Sequence, residues 1–213
     1  LLLQKALQHG VARFFFASSV TAYTTYRQRE IPFAEEISLE PDDLYGVLKA
    51  AAENEVRNSK SDYTILRLAN IYGYGSGTHG LEMGGAINNF IAAAMNGSHI
   101  TLFGTGKQGM DYLHIDDLCR CVESLLGNTS LKGEVFNVGS GSLHTLEEIS
   151  ATVVEVAKTL HLPPVGIERL PAPEGKVWPD RLMSIQKVQR ALGWAPSVSL
   201  RTGIEEMMTK LRS

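Results

Sequence analysis

The chain has 213 residues, a formal net charge of -3 and 44% hydrophobic content, a profile typical of a globular protein with a sizeable core. No basic surplus favours a nucleic-acid partner, and no apolar run reaches the ~18 residues that a membrane-spanning helix needs. Cys119 and Cys121 lie on one predicted helix, where they cannot bridge each other. We therefore expect free thiols, a cytoplasmic location, and neither a nucleic-acid nor a membrane partner.

The first predicted elements are a helix and a strand. A helical pattern runs from Leu1 to Gln8 and ends at His9-Gly10. The apolar run 13–17 predicts a buried strand, and Ser18 and Ser19 follow where this strand ends. Ligands of open α/β sheets bind at the carboxyl ends of strands, so these hydroxyl groups are candidates for contact with a substrate oxygen. A turn rich in small polar residues is the simpler alternative.

The next predicted helix carries a candidate catalytic pair. A polar loop over residues 24–41 leads to a helix that begins after Asp42-Asp43 and runs to about Asn58. Tyr45 and Lys49 lie four residues apart on it and therefore share one face. A fixed ammonium group favours the phenolate form of a nearby tyrosine, so this pair can serve as an acid/base for a hydroxyl or a ketone. The spacing leaves open a packed ring beside a solvated lysine.

The remaining elements alternate between strands and helices, which predicts an α/β fold. They are, in chain order, strand 62–69, a glycine-rich loop 73–85, helix 86–95, strand 100–103, an extended segment 111–114, helix 115–126, strand 135–138, helix 145–160 opened by a Thr145–Glu148 capping box, a proline-rich linker or edge segment 163–179, a short helix ending at Gly193, and helix 201–211.

Residues 104–109 match the pattern G-x-G-x-x-G. A dinucleotide fingerprint requires a helix directly after the glycines, whereas residues 111–114 are predicted to be extended. The strand-ending acidic residue that binds a ribose about 20 residues further on is also missing. We therefore do not assign this segment to a cofactor phosphate.

Several short motifs occur in order along the chain. They are Phe-Ala-Ser-Ser-Val-Thr-Ala-Tyr at 16–23, Tyr-Gly-Val-Leu-Lys at 45–49, Leu-Arg-Leu-Ala-Asn-Ile-Tyr-Gly at 66–73, the segment 100–117, Val-Phe-Asn-Val-Gly-Ser-Gly at 135–141, and Ala-Leu-Gly-Trp-Ala-Pro at 191–196. Together they resemble the extended short-chain dehydrogenase/reductase family, and most closely its NAD-dependent nucleotide-sugar epimerases and dehydratases. The resemblance covers essentially the whole chain.

The resemblance implies an α/β fold: the C-terminal part of a doubly wound, Rossmann-like parallel sheet with a small α/β substrate domain. Residues 1–73 and 127–141 would form the partial Rossmann-like domain, and residues 74–126 and 142–213 the substrate-binding domain. In the family, a half-sheet precedes this part, and its glycine-rich turn holds the cofactor pyrophosphate. We expect NAD or NADP as the cofactor of the complete fold, without tight binding by this chain alone.

The resemblance also assigns site residues. Ser19 would bond the reacting sugar oxygen, Tyr45 would be the acid/base, and Lys49 would hold the nicotinamide ribose. The cofactor-binding positions implied are Ala17, Ser18, Tyr45, Lys49, Leu68 and Ala69, and the substrate-binding positions are Asn70, Phe103 and Arg181. Leu68 and Ala69 are equally plausible as core residues, and a phenylalanine that ends a strand, such as Phe103, is more often a core residue than a stacking one.

Three features of the sequence bear on the function that the resemblance implies. Met110 occupies a position where the family usually has an arginine, and a methionine cannot clamp a phosphate. Val20-Thr21 replaces the Asp-Glu pair of the dehydratases, so elimination of water would lack its acid and base. His114, Asp116 and Asp117 suggest a metal site, but the resemblance makes them structural, and we expect no metal.

The sequence therefore predicts an NAD(P)-dependent epimerase or oxidoreductase that acts on a nucleotide-linked sugar through Ser19, Tyr45 and Lys49. A small-molecule sugar and a second copy of the chain, in a homodimer, are the expected partners. The alternative is a truncated, non-catalytic relative that serves as a binding or assembly module.

Overall fold

The computed structural model of the chain describes residues 1–59, 61–75, 85–174 and 178–212. Residues 76–84 of the predicted glycine-rich loop and 175–177 of the predicted proline-rich segment lie outside the described residues. The α-helices of the described part are α1 (Leu2–Gln8), α2 (Leu44–Arg57), α3 (Ala86–Met95), α4 (Ile115–Gly127), α5 (Leu146–Thr159), α6 (Gln186–Leu192) and α7 (Leu200–Lys210). The strands are β1 (Arg13–Ser19), β2 (Asp62–Leu68), β3 (Asn70–Tyr72), β4 (Ile100–Phe103), β5 (Gly109–His114), β6 (Glu134–Val138), β7 (Leu143–Thr145) and β8 (Ile167–Leu170).

The first sheet is parallel and has the order β1-β2-β6. In its register Ser19 of β1 lies beside Leu68 of β2, and Leu68 lies beside Val138 of β6. The three strands therefore end together, and the residues that follow them meet at one edge of the sheet. This confirms the predicted α/β fold with a parallel sheet and explains why Ser19 and Ala69 come close although they are far apart in sequence.

The other strands form two smaller units. β5 pairs in parallel with β3 and antiparallel with β7, and β4 pairs in parallel with β8. β8 lies within the predicted linker or edge segment 163–179, of which it is the edge strand. The turn between β4 and β5 contains the G-x-G-x-x-G segment, so a strand and not a helix follows these glycines. The structure thus agrees with the exclusion of this segment as a dinucleotide fingerprint.

Helix packing divides between the sheets. α4 and α6 cover the first sheet, where Leu125 and Val188 pack with Leu66 and Phe136. α3, α5 and α7 form a second core with β4 and β5. The capping box at Thr145 and Glu148 is present, as predicted. The proposed division into two domains by residue range remains a prediction.

Both cysteines are free, Cys119 exposed and Cys121 buried, where burial raises the pKa of the Cys121 thiol to about 12. Among the described residues, no helix has the length and apolar character needed to cross a membrane.

Candidate active site

The end of β1 presents two serines in opposite directions. Because side chains alternate along a strand, Ser18 is buried toward α2 while Ser19 is half-buried at the cavity. Ser19 Oγ accepts hydrogen bonds from Thr21 N at 3.2 Å and from Thr21 Oγ1 at 3.0 Å. Both bonds use Ser19 as an acceptor, so its own hydroxyl hydrogen can be donated to a ligand.

The start of α2 fixes where Tyr45 lies. The Asp43 carboxylate accepts a hydrogen bond from Gly46 N at 2.6 Å and caps the helix. A Cβ atom at Gly46 would lie 2.4 Å from the Thr21 carbonyl oxygen, so only glycine permits this close approach of the helix to the segment after β1. The short approach brings Tyr45 beside the end of β1, and its side chain stays 54% exposed.

Tyr45 and Lys49 share one helical face, as the sequence predicts. Lys49 Nζ donates a hydrogen bond to the Ala17 carbonyl oxygen at 2.7 Å. The same nitrogen lies 5.5 Å from the centroid of the Tyr45 ring and 5.3 Å from that of Phe16. The ammonium group therefore places a fixed positive charge near the phenol at the mouth of the cavity.

A cavity of about 820 Å³ connects these residues with the smaller units of the fold. All the predicted site residues except Arg181 line it: Ala17, Ser18, Ser19, Tyr45, Lys49, Leu68, Ala69, Asn70 and Phe103. Leu68 and Ala69 form an apolar wall beside Tyr45 and Lys49, whereas Phe103 lies on the part of the cavity that β4 forms. Asn70 Nδ2 donates a hydrogen bond to the Asp111 carbonyl oxygen at 2.9 Å, which orients this amide in the wall.

Arg181 lies outside the cavity lining, next to one of its wall residues. Its backbone pairs with Gly109 and Asp111 of β5, and its Nη2 lies 3.3 Å from Met110 Sδ. The side chain is buried, and in the described residues its Nε has no hydrogen-bond partner. Burial lowers the pKa of Arg181 from its usual value. Met110 lines the cavity, so this guanidinium group contacts a residue of the cavity wall.

The sequence analysis missed several wall residues. Tyr72 could have been found, because it lies two residues after Asn70 on β3 and therefore on the same face. Tyr112 follows Met110 by the same spacing on β5, and burial raises its pKa to about 12. Trp178 also lines the cavity. It lies in the predicted proline-rich segment 163–179, where the sequence has no helical or strand periodicity, so no sequence signal indicated it.

His114 and Asp117, which the sequence suggested as possible metal ligands, accept hydrogen bonds within the fold. His114 Nδ1 accepts a hydrogen bond from Asp116 N at 3.3 Å at the start of α4. The buried Asp117 carboxylate accepts bonds from the backbone N–H groups of Ser197 and Val198. His114, Asp116 and Glu206 do place possible ligand atoms within 4.8 Å of one another. However, the helix cap already uses the His114 Nδ1 lone pair, and the absence of a metal remains a prediction.

The fold and the cavity define a class of protein. This is a Rossmann-like α/β chain in which a serine, a tyrosine and a lysine meet beside the carboxyl ends of parallel strands. The chain belongs to the NAD dependent epimerase/dehydratase family, whose model matches residues 1–139.

Individual relatives agree with this membership. The chain is 28% identical over 222 residues to dTDP-4-dehydro-6-deoxyglucose reductase of Escherichia coli, a match that covers 96% of this chain and 63% of the relative. It is similar in structure to UDP-glucose 4-epimerase of Thermotoga maritima, which was solved with UDP-glucose. The TM-score is 0.84 and the sequence identity is 27%. The match covers 99% of this chain and 67% of the epimerase chain. The structure of UDP-glucose 4-epimerase of Thermus thermophilus in complex with NAD also matches, with a TM-score of 0.82 and 27% identity. This match covers 100% of this chain and 68% of the epimerase chain. The chain thus spans less than two thirds of the E. coli reductase.

Proposed function

We propose that this chain carries the catalytic residues of an NAD(P)-dependent epimerase or oxidoreductase that acts on a nucleotide-linked sugar. The observation that carries the proposal is that Ser19, Tyr45 and Lys49 line one cavity large enough for a small ligand. The names of similar proteins, which include a sugar-nucleotide reductase and UDP-glucose 4-epimerases, support this substrate class.

The geometry suits a nicotinamide cofactor at the strand ends. The apolar Leu68–Ala69 wall can pack against a planar ring, and Lys49 keeps two ammonium hydrogens for ribose hydroxyl groups after its bond to Ala17. Ser18 can offer only its backbone, because its hydroxyl donates to Glu53. NAD(P), when bound, would supply the hydride acceptor.

Side chains of the protein, and not the cofactor, would transfer the proton. Tyr45, with the Lys49 ammonium group nearby, would act as the base that takes the proton from a sugar hydroxyl as the carbon is oxidised and its hydride passes to NAD(P). Ser19 would donate a hydrogen bond to the same sugar oxygen and keep it in line with Tyr45. Val20 and Thr21 offer no carboxylate beside this point, so we propose epimerisation or simple oxidoreduction and not dehydration.

The rest of the substrate would extend along the cavity. We propose that Asn70 contacts the substrate diphosphate, that Phe103 stacks on the nucleotide base, and that Arg181 supplies positive charge to the diphosphate from behind Met110. The exposed ring of Phe103 at the cavity and the partnerless Nε of Arg181 in the described residues support these roles.

We also propose a homodimer in the cytoplasm. Leu2 on α1 and Leu44, Val47 and Leu48 on α2 expose apolar side chains, a pattern typical of a protein interface. The two free cysteines suit a reducing compartment. Light scattering at micromolar concentration should give twice the chain mass, and a monomer there would rule out this interface.

The test of the function is turnover. The full-length protein is incubated with NAD or NADP and a panel of nucleotide sugars that begins with UDP-glucose, and the products are separated by chromatography. We expect an epimer or an oxidised sugar, formed ~10²–10⁴ times more slowly by the Tyr45→Phe variant. Absence of turnover with every sugar would favour the alternative, a non-catalytic binding or assembly module.

A further inference from the structure

Helix α2 carries a third side chain on the face of Tyr45 and Lys49. This side chain belongs to Glu53, which lies four residues beyond Lys49 and is only 1% exposed. Its Oε1 accepts hydrogen bonds from Ser18 Oγ at 2.5 Å and Arg67 Nε at 3.0 Å, and its Oε2 accepts one from Arg67 Nη2 at 2.9 Å. A buried carboxylate needs such paired charge and hydrogen bonds to remain in the interior.

Arg67 connects this carboxylate to the rest of the sheet. Its Nη1 donates to Tyr23 Oη at 2.7 Å and to the Glu35 carbonyl oxygen at 3.0 Å. The Tyr23 hydroxyl lies 2.8 Å from Asn137 Oδ1 on β6. Burial by itself would lower the pKa of Arg67, but its contacts with Glu53 and Tyr23 together outweigh this and raise it. Glu53 is therefore held by side chains from β1 and β2 and, through Tyr23, is linked to β6.

Few apolar contacts fix how α2 is rotated on the sheet. Its buried residues are Gly46, Glu53 and Val56, and the backbone contact at Gly46 leaves no room for a side chain. Val56 lies near the far end of the helix from Tyr45. Besides the contact at Gly46, the polar contacts of Lys49 and Glu53 therefore join α2 to the sheet between Tyr45 and Val56.

That rotation matters for the site. A helix with side chains is ~10–12 Å across, so a turn of about 20° moves a side-chain end by about 2 Å. A misplacement of about 1 Å in a catalytic group can lower a rate by about 10²-fold.

We propose that Glu53 is a positioning residue: through Ser18 and Arg67 it fixes the rotation of α2, so that Tyr45 and Lys49 face Ser19. Ser18 and Ser19 are neighbours on β1, so the same carboxylate fixes the strand end and the helix face that oppose each other. The effect on catalysis rests on the proposed function, whereas the effect on geometry does not depend on it.

The geometry is tested by nuclear magnetic resonance. In the unaltered chain, Lys49 lies close enough to the Phe16 and Tyr45 rings, 5.3 and 5.5 Å from Nζ to the centroids, for NOEs from its side-chain hydrogens. Glu53→Gln keeps the size of the side chain but leaves Arg67 without its charge partner, and we expect the NOEs between Lys49 and Phe16 of β1 to weaken or vanish. The NOEs between Lys49 and Tyr45 lie within α2 and should persist as an internal reference. The matched control is Glu55→Gln on the exposed side of the same helix, which should keep them. Unchanged Lys49–Phe16 NOEs in a folded Glu53→Gln chain would overturn the proposal.

A second variant separates positioning from loss of folding. The double variant Glu53→Met/Arg67→Met removes both charges and fills the space with apolar chains, a type of replacement that other proteins tolerate in their interiors. Thermal unfolding should show a folded protein, while the Lys49–Phe16 NOEs remain weak because Ser18 has lost its acceptor. Restoration of the Lys49–Phe16 NOEs in this double variant would show that the pair only balances charge, which also overturns the proposal.

The catalytic arm uses the full-length protein with NAD and UDP-glucose. We expect the folded double variant to lose about 10²-fold in kcat, because the catalytic groups are misplaced. The KM for UDP-glucose should change by less than about twofold, since the distant substrate contacts remain. If the double variant keeps the kcat of the unaltered protein, the positioning role is wrong. If the unaltered protein itself has no turnover, the proposed function fails and the NOEs decide the positioning role.

Discussion

The Lys49 ammonium group donates a hydrogen bond to the Ala17 carbonyl oxygen, at 2.7 Å. This contact joins the middle of α2 to the end of β1 and holds a positive charge beside the Tyr45 ring. Since the bond uses one of three ammonium hydrogens, Lys49 can serve structure and ligand binding together.

Tyr45 is the residue whose loss should affect turnover most. In the full-length protein, we expect Tyr45→Phe to lower kcat by ~10²–10⁴-fold, because it removes the proposed acid/base group but keeps the ring. The control is Tyr26→Phe, an exposed tyrosine outside the cavity lining, which should keep normal turnover. Turnover of Tyr45→Phe at the rate of the unaltered protein would refute the assignment.

Binding of the free cofactor by the chain as given should be weak. By the proposed function, the described strand-end residues would contact only the nicotinamide end, and the glycine segment between β4 and β5 does not open a helix that could hold a pyrophosphate. Calorimetric titration of NAD and NADP into the 213-residue chain should give a dissociation constant weaker than the low micromolar range. Tighter binding would mean that another part of the chain or a partner copy supplies the pyrophosphate site.

Replacement of Arg181 should raise the stability of the fold and weaken ligand binding. Its guanidinium group is buried, lies against Met110 Sδ, and has a partnerless Nε among the described residues. We expect Arg181→Met to raise the free energy of unfolding by about 1 kcal/mol, because methionine fills similar space without a buried charge.

Urea denaturation measures this change, with Arg190→Met on the exposed side of α6 as the control that should stay within about 0.5 kcal/mol. In the same variants, the affinity for UDP should fall only for Arg181→Met. A clear loss of stability at Arg181 would show that its contacts outweigh its desolvation cost.

Asp42 should make stability depend on pH at the acidic end. Its carboxylate, 14% exposed, accepts backbone N–H bonds from Thr25, Tyr26 and Arg27. Burial opposes ionisation, but these bonds outweigh it and lower the pKa of Asp42 below its usual value. A lowered pKa in the folded state gives stability that is present above the unfolded pKa and is lost as pH falls through the folded pKa.

We therefore expect Asp42→Asn to lower the free energy of unfolding by about 1–3 kcal/mol at pH 7. The difference should shrink as the pH falls well below ~4, where the unaltered carboxylate is protonated too. Asp62→Asn, in an exposed ion pair with Lys132, is the control and should change little at either pH. An equal effect of Asp42→Asn at both ends of the pH range would contradict the ionic role.

Local sequence patterns were enough to predict the main elements. The Phe-rich run 13–17, the capped helix from Leu44 and the Thr145–Glu148 capping box each depend on neighbours within a few residues, and each is present in the structure. The shared face of Tyr45 and Lys49 likewise follows from helical spacing alone. The motifs that carry the family resemblance are short segments of this kind.

Only the tertiary structure decided which distant residues meet. Parallel pairing of β1, β2 and β6 brings Ser19 to Leu68, and the packing of α2 on them brings Glu53 to Arg67. The sequence could not show that the Arg181 guanidinium group contacts Met110, or that Trp178 lines the same cavity as Tyr45. These contacts depend on strand register and helix rotation, which are determined by the packing of the whole chain and not by the preferences of neighbouring residues.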